Sequence, residues 1–441
     1  MLLAAVAAGL AAGEPAVPIR WSALGACTPD SAGYPARLQK LLGPAFQVEN
    51  AVVPGATMLK NVDSSYWARG RLKQTFDFKP DIITIDLGGN DSKAEYWDAH
   101  KDEFIGDYQA MVDTLNTIVT KPKVLPCFPN PSLVGPNPNS TGINDLVLRQ
   151  EIIPDIKQVA RTKNLDLVDL SATVEGDVPT GGRATDSAQI GADIIAASIY
   201  RAFKEKAVRI ACIGNSITDN LHSAGAYPIK FNQLLGRDYL VLNAGQSGST
   251  LMRSGVLPYA GTAWFKEVFR FRPKIITIKL GTNDSQPVNW EAHRDDFIPD
   301  LRWLIDTLST IPTKPRIILC TPLPAWNIQT EPNDVRETII LNEIIPRIRQ
   351  VAKEKNIEVI DLHTAFMPYE SLTTDGIHPN VAGQDTLAHI FYRSFKALRE
   401  GGLITTSLVL RPARKRWVFR LQNIVNPLSL WGYNAAGRRA K

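Results

Sequence analysis

Four short stretches in the second half of the chain carry residue types that could together activate a nucleophile. Gly214-Asn215-Ser216-Ile217-Thr218 directly follows VRIACI, an apolar run that reads as a buried strand. A serine just past such a strand lies on a turn at the carboxyl edge of a sheet, where its Oγ can meet a substrate. Serine alone is a poor nucleophile and needs an adjacent base. A lone serine at a strand–helix junction is also a common helix cap. Asp375-Gly376-Ile377-His378-Pro379 offers the base. A histidine three residues after an aspartate, in a turn held by Gly and Pro, can have its Nδ1–H oriented by the carboxylate while Nε2 takes the serine proton. Of the six histidines, this is the one with Asp, Gly and Pro packed around it. Gly281-Thr282-Asn283-Asp284 ends the run KIITIKL, and the Asn283 amide can donate to an oxyanion. NAGQSGST (243–250) ends the run YLVL, and Gly248 there lets a backbone N–H approach a substrate oxygen closely. Taken singly, either of the last two is also ordinary turn chemistry.

The elements that must position these residues are visible because the chain repeats itself. KPDIITIDLGGND (79–91) answers PKIITIKLGTND (273–284), and IIPDIKQVARTKNLDLVDL (152–170) answers IIPRIRQVAKEKNIEVIDL (344–362). Two homologous domains are expected at about 19–203 and 208–395, joined by the short charged link 204–207. Each alternates β-branched strand runs with helical patterns. In the second copy VRIACIG, YLVLNAG, KIITIKLG, RIILCTPL and IEVIDL read as strands. AYPIKFNQLLG, DFIPDLRWLIDTLSTI, IIPRIRQVAKEK and VAGQDTLAHIFYRSF read as helices. Alternation of this kind implies a parallel sheet with helices on both faces. Ligands of such sheets bind at the carboxyl ends of the strands, where the four stretches fall.

In this order the four blocks resemble those of the SGNH (GDSL-type) hydrolase family, over nearly all of 208–395. The resemblance implies two flavodoxin-like three-layer α/β/α domains with parallel sheets, and acyl chemistry with no metal and no other cofactor. It makes Ser216 the nucleophile, His378 the general base and Asp375 the residue that orients the histidine. The oxyanion hole it implies is the backbone N–H of Ser216 and of Gly248 plus the Asn283 side chain. Asn215 departs from the Asp that many family members carry there; the implied mechanism does not use it.

Aligning the repeats puts Cys27 opposite Ser216, Gly55 opposite Gly248 and Asn90 opposite Asn283. Asp186 falls opposite His378 and Arg183 opposite Asp375. The first copy thus keeps the glycine and the asparagine but lacks a base, and a thiol without an activator is scarcely ionised near neutral pH. It is read as a degenerate, non-catalytic domain that acts as a packing partner, with ligand binding in the old cleft as the lesser reading. Cys27, Cys127, Cys212 and Cys320 are expected to be core thiols, since four cysteines in 441 residues do not make a disulfide framework.

For the substrate, the segment 322–335 leaves a strand end and should overhang the site. Trp326 in it can stack on a sugar ring; Trp264 and Trp290 are weaker candidates that large-aromatic packing equally explains. An O-acetyl ester on a carbohydrate is the expected substrate, by likeness to bacterial carbohydrate acetylesterases of the family, sialate- or xylan-type enzymes among them. A lipase, lysophospholipase or thioesterase would need a broad apolar acyl channel, and no apolar lid segment is evident. A protein whose clefts only bind carbohydrate would not need the full reactive set of the second copy.

Residues 1–18, MLLAAVAAGLAAGEPAVP, resemble an apolar secretory segment without a basic start, so a secreted or periplasmic location is expected. No later stretch is long and apolar enough to read as a spanning helix. The net charge is +5, yet residues 401–441 hold eight Lys or Arg and no Asp or Glu, which leaves about −3 for the rest. A basic extension over 396–441 can touch nucleic acid, anionic glycan or lipid headgroups, but is read as a solvated tail; LITTSLVL and RKRWVFRL in it look like strands. No nucleic-acid motif occurs elsewhere, and the oligomeric state is open.

Overall fold

A computed structural model of the chain describes residues 17–26, 33–129, 142–170, 187–326, 331–332 and 334–400. The apolar N-terminal segment, Cys27, Arg183, Asp186 and the strand-like runs of the C-terminal extension lie outside the described residues.

Ten strands form two five-stranded sheets. The first copy contributes β1 (Ile19–Gly25), β2 (Phe46–Val52), β3 (Ile82–Asp86), β4 (Lys123–Phe128) and β5 (Val168–Asp169). The second contributes β6 (Val208–Gly214), β7 (Tyr239–Gly245), β8 (Ile275–Lys279), β9 (Arg316–Cys320) and β10 (Glu358–Ile360). The orders are β2-β1-β3-β4-β5 and β7-β6-β8-β9-β10, the same path in each copy. All pairings within the sheets are parallel. This is the doubly wound order in which the chain reverses direction beside the first strand, and the crevice at that reversal is where ligands bind. In the second copy the reversal lies between β6 and β8. The ends of those strands lead into the Ser216 and Asn283 stretches.

The central strands are largely apolar because helices cover both of their faces. Every residue of β6 is buried, as expected of a central parallel strand covered by helices on two faces. Along β1, Trp21 and Ala23 enter one core cluster and Leu24 another, the period-two alternation that separates the faces of a sheet. In the second copy, helices Tyr227–Leu235 and Val381–Glu400 pack together through Tyr227, Phe231, Phe391 and Phe395. The first of these helices stops at Gly236, whose φ of 83° is open to glycine and costly for other residues.

The helix Ser187–Lys206 ends one residue before β6 begins. One continuous core contains Trp21, Phe46 and Phe203 from the first copy and Ile213, Leu240 and Phe271 from the second. Arg237 Nη1 reaches across to the carbonyls of Asp81 (3.0 Å) and Lys121 (2.9 Å). Among the described residues no helix is long and apolar enough to cross a membrane.

Gly214 closes β6 where no side chain fits. A Cβ there would stand 2.0 Å from Thr218 Oγ1 and 2.7 Å from Thr218 Cβ. Gly214→Ala is therefore expected to destabilise the protein by about 1–3 kcal/mol, the usual cost of overpacking, as read from the midpoint of urea unfolding.

Candidate functional site

Ser216 is the first residue of the short helix Ser216–Asp219, capped by Asn215, whose Oδ1 accepts from Ile217 N at 3.2 Å. The helix starts because β6 ends at a glycine and an asparagine follows, a residue type that caps well. Ser216 Oγ lies 2.8 Å from His378 Nε2, across 162 residues of chain. His378 Nδ1 lies 2.7 Å from Asp375 Oδ2. Asp375 Oδ1 accepts from the backbone N–H of His378 (2.7 Å) and of Ile377 (3.0 Å). Burial alone would raise the Asp375 pKa, but these bonds from His378 and Ile377 outweigh it and hold the carboxyl below its ordinary range. An ionised Asp375 accepts from Nδ1–H, which leaves Nε2 as the acceptor facing the serine.

The two further donors named from sequence lie on neighbouring strand ends. Gly248 is exposed, with φ of 78°. Among the described residues no acceptor meets the backbone N–H of Gly248 or of Ser216. Asn283 Nδ2 donates to Ser249 O at 2.9 Å, which fixes the amide and leaves its second N–H.

Three buried side chains, none singled out in the sequence, tie these pieces together. Asp219 joins the Ser216 helix to the Gly248 loop: its Oδ2 accepts from Ser247 N at 3.0 Å and from Ser247 Oγ. Asp284 joins the Gly248 loop to the Asn283 turn, accepting from Leu251 N and Met252 N, each at 2.9 Å. Burial pushes its pKa up to about 6 against the pull of those bonds. Gln384, 2% exposed, joins the helix after His378 to the Ser216 helix. Its Oε1 accepts from Tyr227 N (2.9 Å) and its Nε2 donates to Ile217 O (3.1 Å). A signal for Asp284 existed: Asp91 stands opposite it in the first copy and binds Met58 N and Leu59 N in the same way. An aspartate that holds the same loop in both copies has a scaffold task.

The aromatic candidates separate. Trp326 is half-buried, and its backbone N–H donates to Gly376 O at 2.8 Å, which docks it on the Asp375–His378 turn. Trp290 is buried, edge-on to Phe297, with the Arg347 guanidinium over its ring. Trp264 is stacked on His222 with centroids 4.3 Å apart and packs against the core. Cys127, Cys212 and Cys320 are buried free thiols. In the first copy Gly55 has φ of 77°, and Asn90 Nδ2 donates to Ala56 O at 3.1 Å, the same posture as Gly248 and Asn283. Among the described residues no group of three or more His, Cys, Asp or Glu is placed to hold a metal ion.

The model of the GDSL-like lipase/acylhydrolase family matches residues 11–193 and 212–386. An acetylxylan esterase of Xylanibacter ruminicola is 36% identical over 215 residues, a match covering 44% of this chain and 44% of that protein. The chain thus spans less than half the length of this curated relative. A solved catalytic mutant of an acetylxylan esterase from Geobacillus stearothermophilus is 24% identical over 42% of this chain and 92% of its own, with a TM-score of 0.34. The inhibitor-bound aryl esterase of M. smegmatis is 18% identical over 44% of this chain and 100% of its own, with a TM-score of 0.37.

Gln384→Met keeps the size of the side chain but leaves Tyr227 N–H and Ile217 C=O buried without partners. It is expected to cost about 1–3 kcal/mol for each group left bare, measured by urea unfolding.

Proposed function

The chain belongs to the GDSL-like lipase/acylhydrolase family, and from that premise we propose that its second copy is a serine esterase that removes O-acetyl groups from a carbohydrate. The observation that carries the reading is the hydrogen-bonded line from Ser216 Oγ through the His378 imidazole to Asp375. Ser216 Oγ attacks the ester carbonyl as His378 Nε2 takes its proton. Asp375 holds the imidazole in the needed tautomer and stabilises the imidazolium. The oxyanion is received by Ser216 N–H, Gly248 N–H and the free N–H of Asn283. His378 then protonates the departing sugar hydroxyl. Water, deprotonated by the same imidazole, releases acetate and restores the serine.

The similarity to an acetylxylan esterase supports acetyl on a plant-type glycan as the ester. Trp326, whose backbone N–H is docked on the turn of the base, is read as the side chain that stacks on a sugar. The first copy is read as the product of a tandem duplication that has lost its chemistry. The shared strand order and the shared posture of Gly55 and Asn90 support that history.

Ser216→Ala is expected to abolish acetate release from acetylated xylan, and Cys27→Ala to leave it intact; loss in the cysteine variant instead would reverse the roles of the copies. Asn283→Ala should lower kcat by about 10²–10³, as for other single oxyanion donors. Turnover of p-nitrophenyl acetate without turnover of the palmitate separates this reading from a lipase, and turnover of neither points to a binding protein.

A further inference from the structure

Lys279 ends β8 and is 0% exposed. In the sheet register it lies beside Gly214, the last residue of β6. Its Nζ donates to Asn215 Oδ1 at 3.1 Å. Among the described residues it has no other hydrogen-bond partner and no carboxylate in reach. Asn215 is also 0% exposed, and its Nδ2 has no partner. A cationic residue type therefore stands in a dry position against a neutral amide, one residue behind Ser216, where an ammonium is costly to hold.

The titratable groups packed around it offer no counter-charge. Cys320 on β9, Cys212 on β6 and Tyr227 on its helix are all buried, and burial raises each of them, Cys212 to about 12. All three are neutral near pH 7. Burial draws Lys279 the other way, from the ordinary 10.5 of a lysine down to about 7. A carboxylate at position 215 would hold Lys279 as an ammonium in an ion pair. The amide found here can accept from either form of the amine and does not hold the proton on it.

Granting Ser216 as the nucleophile, we propose that Lys279 and Asn215 form a matched positioning pair, in which the buried amine donates to the amide oxygen and fixes the turn that projects Ser216. Loss of the amine's proton favours the reaction, because acyl transfer places a positive charge on His378. A second cation behind the serine turn opposes that charge in a poorly screened interior.

Steady-state hydrolysis of p-nitrophenyl acetate across pH by wild type, Ser216→Ala, Lys279→Met and Asn215→Asp tests the pair. Lys279→Met is expected to lower kcat about tenfold or more near pH 8 with KM within about twofold. On the acid side, kcat/KM of the wild type should fall with one more proton than that of Asn215→Asp, because in the variant the lysine stays charged beside the new carboxylate. Thermal unfolding gives a readout without catalysis. The folded amine releases its proton near 7 and the unfolded one near 10.5. The folded chain thus binds fewer protons in that window, and stability rises as pH rises through it. Lys279→Met should lose this rise. A Lys279→Met enzyme with wild-type kcat, or an Asn215→Asp enzyme whose acid limb is as steep as that of the wild type, overturns the proposal. Should Lys279→Met fail to fold, the nearly isosteric Asn215→Asp profile decides. Activity retained in Ser216→Ala is a separate failure, since it removes the nucleophile assignment itself.

Discussion

A hydroxyl and an imidazole separated by 162 residues lie within a hydrogen bond of each other, and the rest of the second copy is arranged around keeping them there. The hydroxyl leaves the end of the first strand of the sheet. The imidazole sits in the turn before the last helix. Nothing local holds the two together. One tie is Gln384, which grips a backbone donor of one helix and a backbone acceptor of another inside the core. Because both gripped groups are buried, the grip cannot loosen without leaving polar atoms dry. The same logic recurs at Asp219 and Asp284, each binding backbone N–H groups of a neighbouring loop. Three strand-end loops are thereby locked into one rim.

The two copies share this plan and differ where chemistry would act. Both keep the strand order, the left-handed glycine, the fixed asparagine amide and the buried aspartate clasp. The residue that faces the first turn from the third strand differs in kind. It is Lys279 beside Gly214 in one copy and Asp86 beside Gly25 in the other. Burial pushes Asp86 up to about 7, and one of its oxygens has no partner. The same dry position thus holds an acid in one copy and a base in the other, so its polarity is not dictated by the fold.

Much of this was legible in the sequence because it rested on local pattern. Strands β6 and β7 end where the apolar runs VRIACIG and YLVLNAG end, and Gly236 stops a helix as glycine does. The Asp375–His378 spacing made their contact local. The missed helices are short. Ala263–Phe271 has a clear apolar face but only nine residues, and the cap of the helix that starts at Leu362 is Asp361, inside a run that reads as strand. The clasps were illegible for another reason. Gln384, Asp219 and Lys279 look like surface residues by type, and only tertiary burial gives them partners. Trp264 and Trp290 could not be told from Trp326 by type; their ring neighbours across the chain made the distinction.

The core cluster shared by both copies has an evolutionary consequence. With Ala207 alone between the helix Ser187–Lys206 and β6, there is no joint at which natural selection could discard one half without baring the apolar surface of the other. The surface where the halves meet is shared property, so a damaging mutation there strikes both at once. A descendant lineage that loses the use of either half would therefore still keep its scaffold, because the twin needs the shared surface sound.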